Sequence, residues 1–187
     1  MKKGLILTGM LALALVFGMT VVGCEEEDER ITIDGWTWWV WDDSGDSGTS
    51  TIAMTQDGKK LTFSGNIAKI KGKDYGFAGC TAEPDDVNLA ALKKASSISF
   101  KCKGDGKFYV VEVKTSDVTD HCYYLCTVEI PKTEKTIEVS FDDLEQPGWG
   151  KQVSFKKSNI TGIQLQATMG TTGAGAFRYT VWDLNAK

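Results

Sequence analysis

One histidine and three prolines are all that 187 residues contain of those two types. With His121 alone and no Cys-x-x-Cys pair, a zinc site has no ligand set to draw on. No nucleophile elbow, phosphate loop or Cys-His dyad in a recognisable context occurs, so the usual signatures of hydrolases and nucleotide-binding enzymes are missing. Helical periodicity is equally scarce: Asn88 to Lys94, with Leu89, Ala90, Ala91 and Leu92, is the one stretch that reads as a helix, and it is a turn or two long. Beyond residue 23 no apolar run is long enough to span a bilayer.

Apolar character is concentrated instead at the start. Met1-Lys2-Lys3 precede an apolar run from Leu5 to Met19, interrupted by Thr8 and Gly9, and then Val21-Val22-Gly23-Cys24. A basic start, a short greasy core and a small residue before Cys24 form the outline of a signal peptide over 1–23. Val-Val-Gly-Cys is similar to the lipobox of bacterial lipoproteins, which makes Cys24 the expected lipidated first residue, held in a membrane leaflet by its acyl chains. The run Glu25-Glu26-Glu27-Asp28-Glu29 that follows reads as a solvated acidic tether, residues 24–30. Without Lys2 and Lys3 the chain carries 19 basic residues against 25 acidic ones, a net charge of −6 that argues against a nucleic-acid partner. The expected location is the bacterial cell envelope, lipid-anchored, periplasmic or surface-exposed.

Residues 31–187 are the size of one domain. Segments rich in β-branched and aromatic residues alternate there with turn chemistry such as Asp57-Gly58, Lys71-Gly72-Lys73, Gly104-Asp105-Gly106 and Pro131. The pattern predicts strands at 31–33, 36–41, 50–55, 60–67, 75–81, 97–103, 107–115, 123–130, 135–140, 161–168 and 176–184. That rhythm is all-β, a β-sandwich or jelly roll. Ile98 to Val113, with Phe100 and Cys102 on one arm and Tyr109, Val111 and Val113 on the other, reads as a hairpin through Gly104-Asp105-Gly106.

Cys80, Cys102, Cys122 and Cys126 are an even number for an oxidising compartment, so up to two disulfides are expected. Cys122 and Cys126 stand about 13 Å apart in an extended strand, too far to join each other, and the pairing with Cys80 and Cys102 stays open.

Four stretches carry a family likeness in order along the chain. They are Trp39-Val40-Trp41-Asp42-Asp43 with Gly48-Thr49-Ser50, Ile98 to Gly106, Phe141-Asp142-Asp143-Leu144-Glu145-Gln146-Pro147-Gly148-Trp149-Gly150, and Phe177 to Leu184. Together they resemble the jelly-roll carbohydrate-binding modules of the galactose-binding-like superfamily. Within it the likeness is to the family-eleven modules of cellulases and the related intermediate-associated proteins of respiratory complex I. The resemblance implies a non-catalytic glycan-binding domain. It also implies a structural calcium between an early loop and a last-strand acid, nominating Asp42, Asp43 and Asp183 as ligands. The last strand reads Val181-Trp182-Asp183-Leu184, one acid fewer than the family pattern.

Sugar recognition needs flat rings for the apolar faces of pyranoses and polar groups for their hydroxyls. Trp36 and Trp38 share one face of a strand and Trp39 and Trp41 the other, so at least half of this cluster belongs in the core and some of it is left at the surface. Tyr75, His121, Tyr123, Tyr124 and Trp149, set among charges, turns and glycines, are the expected ligand-contacting side chains. If the cysteines of 122–128 point inward, His121 and Tyr123 point out. Asp85-Asp86 and Asp142-Asp143 are poor candidates for a glycosidase pair, because sequence neighbours point apart. The expected partner is a glycan or polysaccharide; an adhesin or other protein-interaction role, or a structural role in the envelope, is the alternative for the same fold.

Overall fold

The computed structural model describes residues 30–187, so the signal peptide, Cys24 and nearly all of the acidic tether lie outside the described residues. Eleven strands form two antiparallel sheets. One has six strands in the order β1-β2-β5-β10-β7-β8, and the other five in the order β3-β4-β11-β6-β9. Their ranges are β1 Ile31–Ile33, β2 Trp36–Asp42, β3 Thr51–Asp57, β4 Lys60–Ile67, β5 Phe77–Pro84, β6 Ser97–Gly104, β7 Lys107–Thr115, β8 Tyr124–Ile130, β9 Lys135–Ser140, β10 Ile160–Thr168 and β11 Gly175–Ala186. The single α-helix among the described residues, α1 Asp86–Leu92, starts two residues before the stretch read as helical and is capped by Asp85, whose carboxylate accepts from the Asn88 N–H.

Local turn chemistry accounts for the hairpins. Asp34 and Gly35 both have positive φ, 50° and 79°, which is the type I′ geometry that suits the twist of β1 and β2. The expected Ile98–Val113 hairpin, by contrast, does not form. β6 pairs with β11 and β9, whereas β7 pairs with β10 and β8, so at Gly104-Asp105-Gly106 the chain crosses from one sheet to the other. Alternation with period two is the same whether two strands lie side by side or face each other across a core. What holds the crossing is Asp105, whose carboxylate accepts from the Tyr109 hydroxyl at 3.0 Å and from the Arg178 and Lys107 backbone N–H groups at 3.1 Å each.

Between the sheets lies an aromatic core. Trp38 of β2 meets Phe63 of β4 at 5.9 Å, Phe63 stacks on Tyr179 at 5.2 Å, and Tyr109 of β7 meets Tyr179 edge-on at 4.7 Å. Trp36 and Trp38 are both buried, so two of the four clustered tryptophans are core, in line with the sequence reading.

The expected disulfides are not formed: all four described cysteines are free thiols. Cys80 pairs in register with Leu165, Leu165 with Val111, and Val111 with Cys126, which places Cys80 and Cys126 three strand spacings apart, about 14 Å. Cys102 lies in the opposite sheet beside Val181, and Cys122 sits in the loop before β8, where its thiol reaches the Trp149 carbonyl. Burial raises the Cys80 thiol to about 12 and Cys102 and Cys126 to about 11, so they serve as small core residues.

Candidate binding face

The outward side of the six-stranded sheet collects the unusual side chains. Because Trp36 and Trp38 point into the core, strand alternation turns Trp39 and Trp41 outward. Across the ladder a continuous row runs Trp39–Thr81–Gln164–Glu112–Leu125, and the next runs Trp41–Gly79–Gln166–Val110–Thr127. Four strand spacings separate β2 from β8, so the rows are about 19 Å long, and their middle is largely covered, with Thr81, Gln164, Glu112 and Val110 all buried.

Trp41 packs over Gly79 on this side. One of its ring atoms stands 2.6 Å from the position a Cβ on Gly79 would take, and its Nε1 donates to the Thr81 hydroxyl at 2.9 Å. Gln164 donates to the same hydroxyl at 2.9 Å. Trp39 is held by cations, with the Arg30 guanidinium 4.6 Å and the Lys114 ammonium 5.9 Å from its ring centre. From Trp41 the rings continue to Phe77 at 6.0 Å and on to Tyr75 at 6.4 Å, the last pair nearly parallel at 15°.

Tyr75 is thus brought to this face, at one corner, with its hydroxyl 2.9 Å from the Lys73 ammonium. At the opposite edge His121, in a positive-φ turn, meets Tyr123 edge-on at 6.0 Å. Burial raises the Tyr123 phenol, and the Glu112 and Asp120 carboxylates push it the same way, which puts Tyr123 at the Glu112 end of the row. Trp149 stands exposed on the neighbouring 146–151 loop, tied to the His121–Cys122 turn by the Gln146 amide, which donates to the Cys122 carbonyl at 2.8 Å. Tyr124 does not join them. As the next residue in the alternation it faces inward, edge-on to Phe155 at 4.9 Å, with its hydroxyl donating to the Val153 carbonyl.

Glu112 is the buried carboxylate of this row that sequence reasoning passed over. Set in Val111-Glu112-Val113, it reads as an ordinary outward strand residue, yet it is only 8% exposed. Burial raises its carboxyl from the ordinary 4.5 to about 7, partly countered by Lys114. Trp39, Trp41, Thr81 and Gln164 were equally invisible as a group, because five different strands supply the row and its neighbour.

Asp42, Asp43 and Asp183 do not meet. Asp42 caps the short turn after β2, accepting from the Ser44 N–H at 2.9 Å. Asp43 is buried and already accepts from Ser50 N–H at 2.9 Å, Ser50 hydroxyl at 2.7 Å and Phe77 N–H at 3.0 Å. Asp183 sits in a bulge of β11, paired with Lys101 at 3.0 Å, and lines a cavity of about 20 Å³ with Asp34 and Trp36 at the start of β2. The length of β2, about 20 Å, therefore separates it from Asp42 and Asp43. These acids do not fit one calcium site, and among the described residues no group of three His, Cys, Asp or Glu side chains is placed to hold a metal. Asp85 caps α1, and Asp142 and Asp143 lie in the turn after β9 of the other sheet, so none of the carboxylates weighed for catalysis faces the row.

A two-sheet sandwich with rings and amides on one outer face is a jelly roll of the carbohydrate-binding-module type. The chain belongs to the complex I intermediate-associated protein 30 family, whose model matches residues 27–181. It is similar in structure to the family 11 carbohydrate-binding module of a cellulosomal cellulase of Clostridium thermocellum, with a TM-score of 0.56 and 15% identity over 85% of this chain and 95% of that one. A second structure of that family, from the same organism and in complex with a β-1,3-1,4-mixed-linked tetrasaccharide, matches at 0.50 and 15% over 85% and 97%. A variant of a family 29 carbohydrate-binding module matches at 0.51 and 12% over 86% of each chain. Endoglucanase 3 of Fibrobacter succinogenes is 25% identical over 165 residues, covering 79% of this chain and 24% of that protein. The chain thus spans about a quarter of that curated relative.

Proposed function

We propose that this domain binds a glycan, without transforming it, on the outward face of the six-stranded sheet. Trp41 packed over Gly79 is the observation that carries the reading: an indole lodged on a glycine of the outward face offers a sugar an apolar patch to stack on, while Gln166 in its own row and Gln164 and Glu112 in the next offer hydroxyl partners. The fold shared with carbohydrate-binding modules supports the ligand class, and the lone carboxylate in the row supports binding over hydrolysis, which needs two carboxyls flanking the bond. Lipidation at Cys24 would hold the domain outside the cytoplasm at a membrane.

Titration with the β-1,3-1,4-linked glucotetraose and with mannohexaose, read by tryptophan fluorescence, tests the reading. A saturable shift that Trp41→Ala abolishes supports it. Silence toward both sugars and on a wider glycan array, with the fold intact, overturns it in favour of a protein-docking face. Membrane fractionation of Cys24→Ser against the parent chain tests the anchor.

A further inference from the structure

Glu112 stands between Gln164 and Leu125 in the row, and no protein group among the described residues bonds its carboxylate. Its carboxylate accepts no hydrogen bond and makes no ion pair within 4.0 Å among the described residues, although it is more than nine-tenths buried. Across the ladder it faces Gln164, whose amide is engaged with Thr81, and on the other side Leu125. The carboxylate oxygens are not fully enclosed, since Thr115 Oγ1 is the one fully buried side-chain oxygen or nitrogen without a partner among the described residues, so a donor arriving at this face can reach an acceptor that no protein group has taken. We propose that Glu112 is the hydroxyl-reading residue of this face, that it accepts hydrogen bonds from a polyol of the bound ligand as a carboxylate, and that binding releases a proton from it. This rests on the glycan reading above and adds to it a specific residue and a pH dependence.

The proton balance is simple. In the free protein near neutral pH a fraction of Glu112 is protonated, and a ligand hydroxyl donating to the carboxylate favours the ionised form, so the carboxyl proton leaves to solvent. The charged and titratable groups around it are few. Lys114 comes from its own strand, Tyr123 and Cys122 from the loop before β8, while β10 and β8 offer Gln164 and Leu125, which do not titrate. Burial raises both the Tyr123 phenol and the Cys122 thiol, which keeps them protonated through neutrality. His121 lies beyond Tyr123 and is separable by mutation.

The test is calorimetric titration of the domain with the β-1,3-1,4-linked glucotetraose from pH 5.5 to 8.5, in two buffers of different ionisation enthalpy. Affinity is expected to rise on the order of tenfold through pH 7, the factor a one-unit fall in carboxyl pKa on binding gives. Buffer-dependent heats should report proton release. Glu112→Gln should bind with a flat profile, and His121→Gln should keep the slope. A flat or falling wild-type profile, or a slope that survives in Glu112→Gln, overturns the assignment while leaving glycan binding intact. No binding by the wild type at any pH overturns both. Should Glu112→Gln misfold, the wild-type buffer comparison alone decides, since absence of proton release refutes the proposal.

Discussion

Trp41 and Gly79 are interlocked: the indole occupies the space into which any side chain at 79 would project, and the Leu165 carbonyl lies 2.8 Å from the same point. Gly79→Ala must therefore lift the ring or shift the strand. A loss of about 1–3 kcal/mol is expected, as for other overpacked sites, with a changed near-ultraviolet circular dichroism signal and weaker sugar binding. Unchanged spectrum and stability would show that the ring does not rest on the sheet.

Asp43 ties the turn after β2 to the first residue of β5, and through Phe77 it supports the Trp41 ring. Asp43→Ala leaves the Ser50 and Phe77 backbone N–H groups without an acceptor, while the Ser50 hydroxyl keeps the Ala68 carbonyl, so unfolding should become easier by about 2–3 kcal/mol. Because the carboxylate is filled by protein donors, a chelator should leave the melting temperature where it was. A fall on adding chelator would instead reveal a bound ion.

Glu112 makes stability depend on pH with a definite sign. Its folded value of about 7 lies above the ordinary 4.5, so between those values the unfolded chain gives up a proton that the folded one keeps. Stability then falls as pH rises from about 4.5 to about 7 and levels off above, with a full penalty of about 3 kcal/mol. Glu112→Gln should stabilise the domain by up to that amount at pH 8 and by little at pH 4, measured by urea unfolding at both.

The crossing between β6 and β7 depends on one carboxylate. Asp105→Ala removes the acceptor of the Tyr109 hydroxyl and of two backbone N–H groups, and a loss of about 2–3 kcal/mol is expected. Tyr109 is held protonated by burial and by Asp105, so its phenolate absorbance should stay absent until the protein unfolds in alkali.

Free thiols at Cys80 and Cys102 are expected to resist labelling by a water-soluble disulfide reagent until denaturant is added, and reductant should not change the melting temperature. Reductant-dependent melting would mean that a bridge forms after all.

Strand positions were legible because alternation is a local property: Lys60–Ile67, Lys107–Thr115 and Lys135–Ser140 match the sequence reading at both ends. Partners were not. Phe100 and Tyr109 alternate in the same way whether β6 and β7 are neighbours or lie in opposite layers. Of the expected ligand residues, Tyr75, His121 and Trp149 are exposed, Tyr123 is buried in a small cluster with Val118 and Cys122, and Tyr124 packs against the main core.

Composition and alternation by themselves determined that this chain folds as a two-layer β-protein whose tryptophan cluster divides between inside and outside, since the second sheet covers only one side of the strand that carries it. Only the tertiary structure decided that Trp36 and Trp38 go in, that Trp41 comes to rest on Gly79, and that Glu112 loses its water. Those outcomes depend on which strands lie beside β2 and β7, and that choice is made by long-range packing of the two sheets.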